Sequence, residues 1–460
     1  MTDNAVLSVK KAPSSFLRWM ALILISLAML GNYYIYDSIS PLADLLKVQL
    51  GFSDSNIGLL NAIYSFPNII MVLIGGIIID RIGTRKSVFI FTILIMIGAF
   101  VTAFKGDIVT MAAGRLIFGL GAESMIVAIT TIVARWFKGK ELSFAFGLNL
   151  TVARLGSFLA LNSPSIFKSY YENWQGPLLI TVVAGVFAVI CIIFYYLLDV
   201  WAVKNYDMPK DGSQDKVDLK GIFSFGTSFW FITALCVTFY SAMFPFQTFA
   251  IKFFQEAHGT TREVGGNLSS ILTLAAMIFT PLFGLLADKI GKRSLLMMLG
   301  AVAIIPVYLI MAYKIDLASF IGLTGGIHVN FPSFGIEEAV IPYYLIIPMA
   351  MMGFAFSLIP AVMWPSVALV VKEDKLGSAY GLMTMIQNIG LFLFNIMIGW
   401  ANDFSGASAE NPAGYKLGMW IFSILGFLGL FFAFMLRRNE MGPNKHGLEF
   451  GSIHKKVENN

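Results

Sequence analysis

Charge is scarce in this chain. Asp, Glu, Lys and Arg make up 13% of its 460 residues, while hydrophobic residues reach 57% and the mean hydropathy is +0.76. An ordinary soluble domain carries roughly 25% charge, so this composition excludes both a soluble multidomain enzyme and a disordered polymer. Cysteine is nearly missing: Cys191 and Cys236 both lie inside apolar runs, which excludes a disulfide framework and a thiolate metal site. The four histidines, His258, His328, His446 and His454, fall in predicted loops or the tail. No nucleophile, base or metal cluster emerges, so neither an enzyme nor a cofactor is expected. The net charge of +5 is spread over loops and forms no stripe for nucleic acid.

What is abundant is apolar sequence, with 41 Phe and 42 Gly. Crossing a bilayer takes about 20 apolar residues in a helix, and such runs recur at 16–36, 57–79, 88–104, 109–134, 142–166 and 177–198. They resume at 225–249, 264–287, 295–313, 341–371, 376–400 and 417–436. This predicts an all-α membrane protein of twelve spans in two six-helix bundles. The bundles cover 16–200 and 225–437, joined by a polar linker at 201–224 and flanked by tails at 1–15 and 438–460. The first run is too long for a cleaved signal peptide, and Asn32-Tyr33-Tyr34 offers no small-residue cleavage site. With both termini in the cytoplasm, 23 Lys and Arg fall on the cytoplasmic side, 7 on the opposite side, and Arg115 and Arg154 within spans. The positive-inside rule therefore favours that orientation. Residues 316–338 read as a polar external loop, and the tail after Met441 as too short to fold alone.

An internal repeat organises the two halves. Gly76-Ile77-Ile78-Ile79-Asp80-Arg81-Ile82-Gly83-Thr84-Arg85-Lys86 follows span two, and Gly284-Leu285-Leu286-Ala287-Asp288-Lys289-Ile290-Gly291-Lys292-Arg293 follows span eight, 208 residues later. Gly allows close approach, Asp can meet a helix N-terminus, and the bases face the inner leaflet. Twelve spans carrying this phrase twice resemble the major facilitator superfamily. So does Arg115-Leu116-Ile117-Phe118-Gly119-Leu120-Gly121-Ala122 in span four. The resemblance implies two bundles around a central cavity that opens alternately to each side. Gating then falls to Asp80, Arg81, Gly83, Arg85, Gly284, Asp288 and Arg115. Asp80 is expected to cap a helix of the other half when the cytoplasmic side closes. Span five lacks the Gly-rich phrase of drug antiporters, and span one lacks the glutamate-arginine motif of proton-coupled peptide symporters.

Within the superfamily, the chain is similar to the lysosomal dipeptide uniporters. The similarity is carried by Arg135-Trp136-Phe137-Lys138-Gly139-Lys140-Glu141-Leu142 and Arg154-Leu155-Gly156-Ser157. Phe244-Pro245-Phe246, Met363-Trp364-Pro365-Ser366 and the Gly377–Gly381 opening of span eleven carry it into the second half. The N-terminal tail departs from the family in having no acidic dileucine signal. The location is then the cell (inner) membrane of a prokaryote or, alternatively, the lysosomal membrane, and the family's accessory subunit is an open partner beside the lipid bilayer.

Charges deep in a span point to a cavity or a partner. Glu123 lies twelve residues from Arg135, about 18 Å along span four, and Arg154 fourteen residues from Lys140, about 21 Å along span five. A carboxylate and a guanidinium thus share one depth. They suit the two ends of a zwitterion, or else a structural salt bridge between spans four and five. The family resemblance implies that these positions bind the amino and carboxyl ends of a dipeptide. Tyr33, Tyr64, Trp364, Gln387 and Asn395 complete the expected binding set, with Pro365 expected to break the helix beside Trp364. Tyr240, Gln247 and Asn388 are weaker polar candidates in the second half, and Asp37 is read as too near the outer end for a deep coupling site. The expected function is facilitative uniport of small zwitterions, chiefly dipeptides. The alternatives are proton-coupled transport of small organic anions and, third, a non-transporting receptor.

Overall fold

The computed structural model describes residues 13–137, 141–208, 225–331, 336–372, 375–443 and 445–450. Lys138, Gly139 and Lys140, most of the 201–224 linker and the outermost tail residues lie outside the described residues. The first half comprises α1 (Ser15–Asp37), α2 (Ala43–Leu50), α3 (Asp54–Ile82), α4 (Thr84–Phe104), α5 (Ile108–Trp136), α6 (Leu142–Ile166) and α7 (Gln175–Asn205). The second comprises α8 (Thr227–His258), α9 (Arg262–Ile290), α10 (Arg293–Ala312), α11 (Leu317–Phe320), α12 (Tyr343–Val370), α13 (Leu376–Phe404) and α14 (Tyr415–Glu440). Among the described residues, eleven helices are long and apolar enough to cross a membrane; α3, bent by 55° after Val72, makes the twelfth when its two arms count as one span.

Local sequence sets the helix starts. Ser53 and Asn56 form a reciprocal capping box at α3, Asp107 accepts from Thr110 N at 2.9 Å at α5, and Thr261 accepts from Val264 N at α9. The repeated phrase forms equivalent turns, in which Gly83 and Gly291 adopt φ of 85° and 68°, a region other residues avoid. The halves also repeat their packing. α1 lies against α6 and α7 as α8 lies against α13 and α14, and α3 lies against α5 as α9 lies against α12.

The structure refines two sequence expectations and corrects two. The 316–338 loop is not simply polar coil, because it holds α11 and an antiparallel hairpin of β1 (Gly326–Phe331) with β2 (Ile336–Pro342), pairing Val329 with Ala339. The segment 445–450, part of the tail read as too short to fold alone, docks on the second bundle: Leu448 is buried, its carbonyl accepts from Arg293 N at 3.0 Å, and His446 bonds the buried Glu440 at 2.8 Å. His258 ends α8 packed on Phe253 and Tyr344 and is not a loop residue. Lys252, counted among the basic residues outside the spans, lies inside α8 and is fully buried.

Lys252 anchors a lock between the halves. Its Nζ is 2.7 Å from Asp54 at the start of α3, 3.2 Å from Glu256, and donates to Tyr415 Oη at 2.9 Å. Asp403 of α13 accepts from the backbone N–H groups of Asp54 and Ser55, both at 2.8 Å, so it caps a helix of the other half. Arg262 pairs with Asp44 at 2.5 Å. Deeper in, Asn61 donates to Thr248 at 3.1 Å and Thr248 to Asn395 at 2.9 Å. Helices approach closely here: a Cβ on Gly58, Gly399 or Gly266 would fall 2.2–2.4 Å from the carbonyl oxygens of Asn395, Asp54 and Leu161. All these contacts lie at the face opposite the start of α1 and the end of α14, and together they close the two halves against each other there.

Breaking a buried ion pair from one side costs about 3–5 kcal/mol, because the other charge is left unmet. Lys252→Met should therefore release the sealed face. Thiol labelling of a cysteine introduced at Asn61, in a background without Cys191 and Cys236, should accelerate from the side opposite the termini. Asp54→Asn should act in the same direction. Labelling unchanged in both variants would mean the pair does not hold the seal.

Candidate substrate-binding site

A cavity of about 230 Å³ lies between the bundles. That is small beside the roughly 300–1,000 Å³ of drug-sized ligand sites and suits a compact solute. The first half supplies Asn32, Tyr33 and Tyr36 of α1, Tyr64 of α3, Glu123 and Ile126 of α5, and Arg154 of α6. The second supplies Tyr240 and Phe244 of α8, Trp364 of α12, and Thr384, Gln387 and Leu391 of α13. Helical spacing explains the sets. Asn32 and Tyr36 are one turn apart, Tyr240 and Phe244 likewise with rings stacked at 5.5 Å, and Thr384, Gln387 and Leu391 share one face.

The two charges sit in different surroundings. Glu123 accepts a hydrogen bond from Tyr64 Oη at 3.2 Å, and the Tyr64 ring packs edge-on against Tyr36 at 4.8 Å. Arg154 lies between aromatic faces, its Cζ 5.5 Å from the Tyr33 ring centre and 5.3 Å from that of Phe356 in the other bundle. Cation–π attraction holds the guanidinium without consuming its five N–H donors. Among the described residues Glu123 and Arg154 form no ion pair with each other or with a third charge, so the structural salt bridge between α5 and α6 is not made in this state.

Six of the seven expected binding residues line this one cavity: Glu123, Arg154, Trp364, Tyr33, Tyr64 and Gln387. Asn395 does not, because its amide is taken up by Thr248 and by Leu391 O in the seal. Trp364 Nε1 donates to Tyr240 Oη at 2.9 Å, joining α12 to α8. The helix break expected at Pro365 is absent: α12 runs unbroken through Pro348, Pro360 and Pro365. Membrane helices can continue through proline where packed neighbours and local adjustment satisfy the freed backbone groups; separately, Tyr380 Oη donates to Trp364 O at 3.1 Å, tying α13 to α12. Sequence reasoning passed over Asn32, Tyr36 and Thr384 as wall residues. The polar cluster at 32–37 in an otherwise apolar run was the available signal for the first two; for Thr384 there was none. Asp37 ends α1 and lines a separate chamber of about 10 Å³ with Asn61, Gln247 and Thr248.

The expected gating residues divide into groups. Asp80 and Arg81 are exposed, and open space surrounds a Cβ placed on Gly284. Asp288 pairs with Arg293 at 2.5 Å within the second half. Arg85 and Arg135 converge with Trp136 on Asp199, a fully buried carboxylate at the end of α7, Arg85 at 2.8 Å and Trp136 Nε1 at 3.1 Å. Ending span six at residue 198 had hidden Asp199. Arg115 does not reach the cavity. It is buried and donates to the carbonyls of Leu60, Ile35 and Tyr36 at 3.2, 3.1 and 3.3 Å and to Asn61 Oδ1 at 2.9 Å, which ties α5 to the ends of α1 and α3.

Two repeated six-helix bundles enclosing a polar cavity define a membrane carrier, and the chain belongs to the Major Facilitator Superfamily, whose model matches residues 23–336 and 246–459. It is an integral multi-pass membrane protein of the transporter class. The human lysosomal dipeptide transporter MFSD1 is 31% identical over 410 residues, which span 85% of this chain and 81% of that protein. The zebrafish (Danio rerio) protein of the same name is 29% identical over 413 residues, again 85% and 81%. A probable sulfoacetate transporter, SauU of Cupriavidus necator, is 26% identical over 119 residues, 26% of this chain and 28% of that one. Among solved structures, a bacterial homolog of the human lysosomal transporter Spinster, inward-facing and unoccupied, superimposes with a TM-score of 0.70 at 16% identity, covering 96% of this chain and 100% of that one. The nucleoside transporter NupG gives a TM-score of 0.66 at 16% identity, covering 92% of this chain and 98% of that one.

Arg115 should prove structural. Lysine keeps the charge but loses the planar fork that meets three carbonyls and an amide at once. Each hydrogen bond to a charged group is worth about 1.5–3 kcal/mol. Arg115→Lys should therefore lower the unfolding temperature in detergent clearly, while the protein that remains folded binds substrate with unchanged affinity. A normal melting temperature with weakened binding would place Arg115 in the site instead.

Proposed function

We propose that this protein is a facilitative carrier of dipeptides that works by alternating access. The observation that carries the reading is Glu123 and Arg154 facing one small cavity without pairing to each other. A carboxylate suits the substrate ammonium, and a guanidinium with its donors free suits the substrate carboxylate. Tyr33, Tyr64, Trp364 and Gln387 form the walls around them. The name carried by the relatives at about 30% identity points to the same substrate class. A carrier of organic anions alone would gain nothing from Glu123 in its cavity.

In this reading the bundles at 16–200 and 225–437 rock about the linker, and the termini are cytoplasmic. The seal built on Asp54 and Lys252 then belongs to the inward-facing part of the cycle. Asp80 of the repeated turn acts in the opposite state, when the cytoplasmic side closes. Transport is uniport, because the one carboxylate among the described residues lining the main cavity, Glu123, is committed to the substrate amine. The membrane is the cell membrane of a prokaryote or that of a lysosome, and an accessory subunit is a partner to be sought in the second case.

Each end of the substrate should depend on its own residue. In thermal-shift binding, Glu123→Gln should lose the preference for free over N-acetylated dipeptides, and Arg154→Lys that for free over C-amidated ones. Each affinity should fall roughly tenfold to a hundredfold, as expected for one charge-assisted hydrogen bond. Wild-type protein that binds blocked and free dipeptides alike would remove the zwitterion site. Counterflow in proteoliposomes should exchange dipeptides and not monocarboxylates; exchange of monocarboxylates alone would favour the anion carrier.

Coupling is tested separately. Proteoliposomes given an inward proton gradient should equilibrate a labelled dipeptide without concentrating it. Uptake above equilibrium that an uncoupler abolishes would replace uniport with symport.

A further inference from the structure

We infer that the side-chain amide of Asn32 is a specificity-determining contact that reads the peptide group between the two charged ends of the substrate. The inference rests on the dipeptide reading and names the part of the substrate that Glu123 and Arg154 leave unread. Asn32 is only 2% exposed and lines the cavity, and its Oδ1 has no hydrogen-bond partner. An unmet buried acceptor is costly to a folded protein. Several other buried polar atoms are also unpartnered among the described residues, but Asn32 alone belongs to the wall of this cavity. Comparable amides in the bundle are engaged: Asn149 donates to Ser26 at 2.9 Å, and Asn61 serves Arg115 and Thr248.

Its place along α1 puts it near both charged ends. The next residue, Tyr33, carries the ring beneath Arg154, and Tyr36, one turn onward, packs on the Tyr64 that donates to Glu123. Asn32 is therefore adjacent to the carboxylate-binding side, where a dipeptide's N–H falls, and one turn from the ammonium-binding side. An amide carries one acceptor and a pair of donors, the complement of a peptide N–H and C=O. From the second bundle Gln387 lines the same cavity; its Oε1 accepts from Cys236 Sγ at 3.7 Å, which leaves its Nε2 as a donor for a carbonyl. Charge alone cannot separate a dipeptide from any amino acid with the same spacing of ends. A site built to hydrogen-bond an N–H rejects the analogue that lacks it.

The test compares glycylglycine with 5-aminolevulinate, which keeps both charged ends and the central carbonyl but has CH₂ in place of the peptide N–H. Binding is measured on the purified full-length protein. Wild type should hold the dipeptide roughly tenfold more tightly, the worth of one buried hydrogen bond. Asn32→Ala should lose that margin for glycylglycine, leave 5-aminolevulinate unchanged, and so bring the two affinities together. Equal affinities in the wild type would overturn the inference while leaving the end-group contacts standing, and this arm needs no variant to fold. A full preference retained in Asn32→Ala would also overturn it. If neither compound binds, the dipeptide reading itself falls and takes this inference with it.

Discussion

A charge inside a membrane bundle has no water to meet it, and the desolvation cost is several kcal/mol per ion. The arrangement of this protein follows from how that cost is met. Arg115 is met by backbone carbonyls of two neighbouring helices and by Asn61. Asp199 is met by two guanidiniums and an indole, and Lys252 by Asp54, Glu256 and Tyr415. In each case the partners come from different helices, so the requirement to satisfy a charge is also what fixes one helix against another.

Seen this way, Glu123 and Arg154 stand apart. One has a single phenol hydrogen bond and the other only aromatic faces, in a cavity both halves line. Aromatic faces give Arg154 an orientation and leave its donors for a ligand. The same distinction separates Arg115 from Arg154, two arginines with the same formal description in the sequence. The first spends its donors on the fold, and the second keeps them.

The charges at the sealed face serve another purpose. Asp54 and Lys252 come from different halves, and the helix that begins at Asp54 is capped by Asp403 across the same boundary. Where the halves touch there, glycines bring backbone against backbone at Gly58, Gly399 and Gly266. A contact made of small residues and a few strong polar pairs can come apart as a unit, whereas a broad interdigitated core cannot. The terminus face is built differently, with Asp199 and Glu440 each buried at the end of the last helix of its own half, so those networks stiffen a bundle without joining the two.

Much of this was legible in the sequence because the bilayer imposes one-dimensional rules. Span length, loop charge and a repeated turn determined twelve helices in two halves, and the shared depth of Glu123 and Arg154 follows from 1.5 Å of rise per residue. Depth along a helix can be counted, but the direction a side chain faces cannot be counted across a boundary between helices. Asn395 and Gln387 occupy the same helix, yet one lies in the seal and the other in the cavity wall. Lys252 looked like a loop cation and is a buried lock, because its partner Asp54 is 198 residues away and in the other bundle. Pro365 looked like a break, yet α12 continues through it among packed neighbours. The sequence by itself determined the spans, their grouping into two repeated halves and the depth of the charges along their helices. Which charges are spent on holding helices together and which are left facing a ligand was decided only in the tertiary structure, since satisfying a buried charge takes partners that lie far apart along the chain.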